Sequence, residues 1–176
     1  MPLSKILSDS LASGVGQGAY ETALFHIQNE HASNVGGTIS TTYSDFVFNT
    51  VKTNEISGAS LSSNEITLPS GTYFADITLM LSYTNGYVTR LYNTTDSSLV
   101  LEGQLGYNHS AYTYSLGSQI KGRFTISAQK TFKIQGACHA TGANLTTHGQ
   151  GYMATSSHLN ETTIWMNRMA LFWKLA

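Results

Sequence analysis

Six histidines, ten carboxylates and one cysteine are the side chains of this 176-residue chain that could ligate a metal or carry a proton. Their spacing matches no known arrangement for either task. The chain has no G-x-S-x-G, no G-x-x-x-x-G-K-[ST], no H-E-x-x-H and no C-x-x-C. Asp45, Glu55, Glu65, Asp76, Asp96, Glu102 and Glu161 lie apart along the sequence, without the pairing that general acid–base chemistry needs. His26 and His31 are separated by a strand end, and His139, His148 and His158 are spread over a polar stretch. Three copies of one histidine around a symmetry axis could hold a metal ion. The plainer reading is loop histidines at the surface. No catalytic residue, metal ligand or cofactor is assigned, and an enzyme is not expected.

The denser chemistry is aromatic. GYNHSAYTYSLG, residues 106–117, places Tyr107, His109, Tyr112 and Tyr114 in one segment. Tyrosine offers a broad face and a hydroxyl with few rotatable bonds, which suits contact with a glycan or a protein. These four residues are the ligand-contact candidates. The alternative is that Tyr112 and Tyr114 are strand residues packing against a neighbour.

Composition bounds the rest. Charged residues are 11% of the chain, under half of the roughly 25% typical of soluble domains. Serine, threonine, asparagine, glycine and tyrosine take their place, a mixture suited to strands and turns rather than to a helical bundle. The formal net charge is −1 and the nine basic residues form no stripe, so nucleic acid is not an expected partner. No segment approaches the ~18 apolar residues of a membrane span. The lone Cys138 excludes an intrachain disulfide and reads as a small buried hydrophobe. With no signal-peptide pattern at its start, the chain is expected to be made and assembled in a cytoplasm.

The elements that must position these groups read as strands after a distinct opening. Leu3, Ile6, Leu7 and Leu11 fall on one face of a short helix, and Gly14, Gly16 and Gly18 then break it. Residues 1–21 are expected to form an arm with a glycine-rich linker, either an anchor or a cap that packs or frays. Residues 22–176 form one domain. Its expected strands are ALFHIQ from Ala23, FVFNTV from Phe46, a short ITL from Ile66, a long run from Tyr73 to Tyr83, VTRLYN from Val88, LVLEGQL from Leu99, SQIKGRFTIS from Ser118, TFKIQGA from Thr131 and TIWMNRMALFWKL from Thr163. Asn85-Gly86 signals a hairpin after the long run, and the last two strands before residue 139 read as another. In the long run Tyr73, Ala75, Ile77, Leu79, Leu81 and Tyr83 alternate with Phe74, Asp76, Thr78, Met80 and Ser82. The odd positions are core; the mixed even positions call for partial cover from a neighbouring sheet or subunit. About eight antiparallel strands with no helical pattern after residue 20 imply an all-β sandwich or jelly roll.

The order FVFNTV, NEITLPSGTYFADI, TRLYNTT, SQIKGRFTI, KTFKIQ and ALFWKL resembles the C1q/TNF-like jelly roll over residues 22–175, in the form found in phage virion proteins. The LPxGxY element at Leu68–Tyr73 is its most specific piece, and the SKILSDSLASGVG start is similar to openings of phage structural proteins. The resemblance implies a homotrimer, with Phe74, Met80, Trp165 and Trp173 as interface candidates. It implies a place on the virion surface as a capsid decoration or head-fibre protein, bound through Leu3, Ile6, Leu7 and Leu11 to the major capsid protein. The alternative is the receptor-binding tip of a short tail fibre. Neither role requires a membrane or a nucleic acid.

Overall fold

A computed structural model describes residues 23–31, 38–81, 86–107, 116–139, 143–144 and 165–175. Among them are the strands β1 (Ala23–His31), β2 (Thr38–Ile39), β3 (Ser44–Asp45), β4 (Thr50–Asn54), β5 (Ser60–Ser62), β6 (Glu65–Leu68) and β7 (Gly71–Leu81). After these come β8 (Tyr87–Asn93), β9 (Ser98–Glu102), β10 (Leu116–Ile126), β11 (Lys130–Cys138), β12 (Ala143–Asn144) and β13 (Trp165–Leu175). The count exceeds the expected eight because β2, β3, β5 and β12 are pieces of two or three residues. The arm residues Leu3, Ile6, Leu7 and Leu11 lie outside the described residues.

Two antiparallel sheets face each other. The first has the order β10-β7-β13-β1-β4; the second has the order β5-β6-β11-β8-β9, with β3 also on β11. Long strands near each other in sequence alternate between the sheets: β6 in the second, β7 in the first, β8 and β9 in the second, β10 in the first, β11 in the second. That alternation makes the sandwich a jelly roll.

The period-two pattern of β7 puts Tyr73, Ala75, Ile77 and Leu79 wholly out of solvent. They meet Phe25 and Ile27 of β1, Ala170 and Phe172 of β13, and Ile66, Leu68, Leu91, Phe132 and Ile134 of the second sheet in one core. Cys138 is buried at its edge, as its place in a strand-like stretch implies. β13, apolar on both faces, is a central strand between β7 and β1. On the open side the sheets are stitched by polar groups. The Gly103 amide donates to Thr89 O in the second sheet at 2.8 Å, and the next amide, Gln104, donates to Gln119 O in the first at 2.9 Å. The hydroxyls of Thr89 and Ser118 meet between them at 2.7 Å.

Four expectations are corrected. β1 runs on past Gln28 to His31, so no strand end separates His26 from His31. Asn85-Gly86 does not close a hairpin: β7 pairs with β10 and β13, whereas β8 pairs with β11 and β9. The β10–β11 connection likewise changes sheets, since β11 pairs with β6, β8 and β3. The strand expected at Phe46–Val51 instead runs from Thr50 to Asn54. Phe46 and Phe48 are buried as its alternation implied, but they sit in irregular chain, where the Phe46 amide donates to Ile134 O at 2.9 Å. The hairpin that does form nearby, β5–β6, turns at Ser63 and Asn64, both with positive φ.

Candidate functional site: the two outer sheet faces

The outer face of the first sheet follows from register. Because Tyr73 and its odd neighbours point inward, Phe74, Asp76 and Thr78 point outward, and β13 sets Trp173, Leu171 and Met169 opposite them in turn. β1 extends the rows with Leu24 opposite Trp173 and His26 opposite Leu171. On the other side β10 supplies Arg123 opposite Phe74 and Lys121 opposite Asp76. The result is an apolar block of Leu24, Trp173, Phe74 and Leu171 beside a charged margin, where Lys121 Nζ lies 3.0 Å from Asp76 Oδ2. The Phe74 and Trp173 rings meet with centroids 6.0 Å apart, yet Phe74 stays 38% exposed.

Two of the four interface candidates are therefore brought into contact. Met80 pairs with Gly117 and Trp165 with His31 by backbone register, while their side chains fall outside the described residues. Of the ligand-contact candidates, Tyr107 is 62% exposed. His109, Tyr112 and Tyr114 lie outside the described residues. Near Tyr107, Leu105 is 78% exposed and borders a cavity of about 350 Å³ shared with Thr41, Val88, Ala137 and His139. Among the described residues no three of His, Cys, Asp and Glu converge on a possible metal position.

The outer face of the second sheet carries a cluster that the sequence does not announce. Register aligns Glu102 of β9, Arg90 of β8, Gln135 of β11 and Asp45 of β3 in one row across four strands. Arg90 Nε donates to Gln135 Oε1 at 2.9 Å, and Gln135 Nε2 donates to Asp45 Oδ1 at 2.8 Å. Lys133 Nζ takes the second carboxylate oxygen, Asp45 Oδ2, at 2.7 Å. The Arg90 guanidinium lies between two rings, 3.6 Å from the Tyr43 centroid and 4.2 Å from that of Tyr92. Partial burial alone would raise the Asp45 pKa, but the hydrogen bonds from Lys133 and Gln135, with the Lys133 charge, hold it below its ordinary value. Donating that hydrogen bond to Asp45 raises the Lys133 pKa, against a smaller opposing effect of desolvation.

A further cation lies deep in the sandwich. Arg168 is 1% exposed, donates from Nη1 to Val47 O at 3.1 Å and lies 5.4 Å from the Phe46 ring centroid. Burial pushes its pKa down to about 10. It ties the irregular Phe46–Asn49 segment to β13.

No family model matches the chain, and no curated protein does. Among solved structures it is similar to murine APRIL, crystallised at pH 8.0, with a TM-score of 0.55 at 8% identity over 88% of this chain and 100% of that one. It is also similar to the globular domain of zebrafish complement 1qA, with a TM-score of 0.50 at 14% identity over 87% and 95% of the two chains. At such identities the likeness concerns architecture, and it agrees with the strand order found here: the fold is an antiparallel jelly roll of the C1q/TNF-like kind.

Proposed function

We propose that this protein is a non-enzymatic structural protein of a phage virion. It is a homotrimer joined through the outer face of the first sheet, displayed on the capsid as a decoration or head-fibre protein, and held to the major capsid protein by residues 1–21. The observation that carries the self-association is the half-covered Phe74–Trp173 pair, which Leu24 and Leu171 extend into an apolar block on the outer face of the first sheet. Around a threefold axis, the same faces of the two neighbouring copies supply the missing cover. The virion setting rests on the resemblance of the strand order and of the SKILSDSLASGVG start.

Sedimentation tests the assembly. Phe74→Ala and Trp173→Ala are each expected to weaken it by roughly 2 kcal/mol or more, giving a monomer at micromolar concentration. An unchanged trimer in the double variant rejects this face as the interface. Deleting residues 1–13 tests the placement: particle attachment is lost with the oligomer intact if the arm anchors, and undiminished attachment rejects the arm. Hundreds of copies per particle support decoration, and a handful supports the tail. The tail-fibre reading draws on the exposed Tyr107 and Leu105 beside the apolar cavity. Host-cell binding that Tyr107→Ala abolishes would favour it.

A further inference from the structure

We propose that the Glu102–Arg90–Gln135–Asp45 row, with Tyr43 above it, is a binding platform for a neutral saccharide on the outer face of the second sheet. This goes beyond either placement on the particle, because the face is not the one assigned to self-association.

The argument starts from what is fixed and what is left open. The Arg90 guanidinium is held in its plane by Tyr43 and Tyr92, and its Nε is committed to Gln135. Among the described residues no acceptor meets its Nη nitrogens. Glu102, the cross-strand neighbour of Arg90, is exposed, and among the described residues its carboxylate meets no donor. Tyr43 covers Arg90 with one face and is itself 41% exposed. Pinning the chain around Asp45 to β11 explains Asp45, Lys133 and Gln135. It does not require an open guanidinium fork or a second aromatic surface.

What remains open is a rigid donor pair, an acceptor carboxylate and an aromatic ring within one row. A sugar ring offers the complement: hydroxyls that both donate and accept, and an apolar C–H surface that lies on an aromatic face. Charge decides between neutral and acidic ligands. The Lys133 charge is neutralised by Asp45 at 2.7 Å and faces Glu65 at 3.8 Å. An anion reaching Arg90 would therefore meet the unpaired Glu102 without a second free cation. A neutral saccharide meets no such repulsion, and its hydroxyls use the Glu102 carboxylate as acceptor.

The test is retention of the full-length protein on immobilised neutral glycans terminating in glucose, galactose, mannose or N-acetylhexosamine, beside sialylated and uronate-terminated ones. Retention on at least one neutral glycan is expected. It should fall tenfold or more in Tyr43→Ala and in Arg90→Lys, which keeps the charge and loses the planar fork. Glu102→Gln, at an exposed position, reads the site without disturbing the packing and should weaken retention severalfold. Ser127→Ala, in the exposed turn between β10 and β11, should leave retention unchanged. Retention on no neutral glycan, on acidic glycans only, or at undiminished strength in Glu102→Gln and Arg90→Lys overturns the proposal. None of these results bears on the oligomeric state, so the two readings fail separately.

Discussion

Tyr73 is held at both ends. Its ring is fully buried, stacking on Phe124 with centroids 5.5 Å apart, while its hydroxyl donates to Pro69 O at 2.7 Å. That bond explains the LPxGxY spacing: the chain turns through Pro69 and Gly71, and Tyr73 reaches back to the carbonyl just before the turn. Tyr73→Phe should cost about 1 kcal/mol in urea unfolding at neutral pH, because the Pro69 carbonyl loses its donor. Burial pushes the Tyr73 pKa from 10.0 up to about 12. The unfolded state therefore loses its phenolic proton first. The stabilising contribution is complete below pH 10, falls through the window up to about 12 and is gone above it. The phenylalanine variant lacks this titration, so the gap between the two unfolding curves should narrow as pH rises from 9 to 12. Asp45 runs the other way. Its lowered pKa means that its contribution is present above the ordinary carboxylate range and is lost as pH falls through the depressed folded value. Between pH 5 and 2 the melting temperature of the native protein should drop more than that of Asp45→Asn.

At the scale of elements, close packing decides which positions tolerate change. A Cβ on Gly136 of β11 would stand 2.8 Å from the buried Phe46 ring, which has no open space to move into. Gly136→Ala should cost about 1–3 kcal/mol by overpacking, measured as a shift in the denaturant midpoint at constant slope. Residue pattern marks some elements plainly and others not at all. The inward faces of β7, β10 and β11 were legible, because Tyr73 to Leu81, Ile120 with Phe124, and Phe132 with Ile134 alternate cleanly. Turn chemistry at Asn85-Gly86 was legible as a change of direction. It was not legible as a change of sheet, because local torsions say where a chain bends and not which strand it lies beside. Phe46–Val51 misled for a related reason: its two phenylalanines are core without being strand. The Arg90 row was invisible for a stronger reason. Tyr43, Asp45, Arg90, Glu102 and Gln135 are scattered over ninety-odd residues; the registers of four strands collect the last four, and Tyr43 joins them through its ring against Arg90.

For the whole molecule, the two outer faces differ: the first carries an apolar block with a charged margin, the second a polar network around Arg90 with Tyr43 and Tyr92 against it. The Phe74 and Trp173 contacts are shared, so the double alanine variant should cost the assembly less than the two single losses added together. A thermodynamic cycle by sedimentation measures that difference. The pairing of β1 with β13 has its own consequence. Ala23 sits opposite Lys174, so two strands at the middle of the first sheet come from segments separated by nearly the whole domain. Such non-local pairing makes folding slow. On the ribosome, β7 and β1 have an empty lane between them until β13 has been synthesised. A product truncated before β13 has no closed sheet to complete and leaves two adhesive strand edges exposed. Translation of that one strand thus decides whether the first sheet can close.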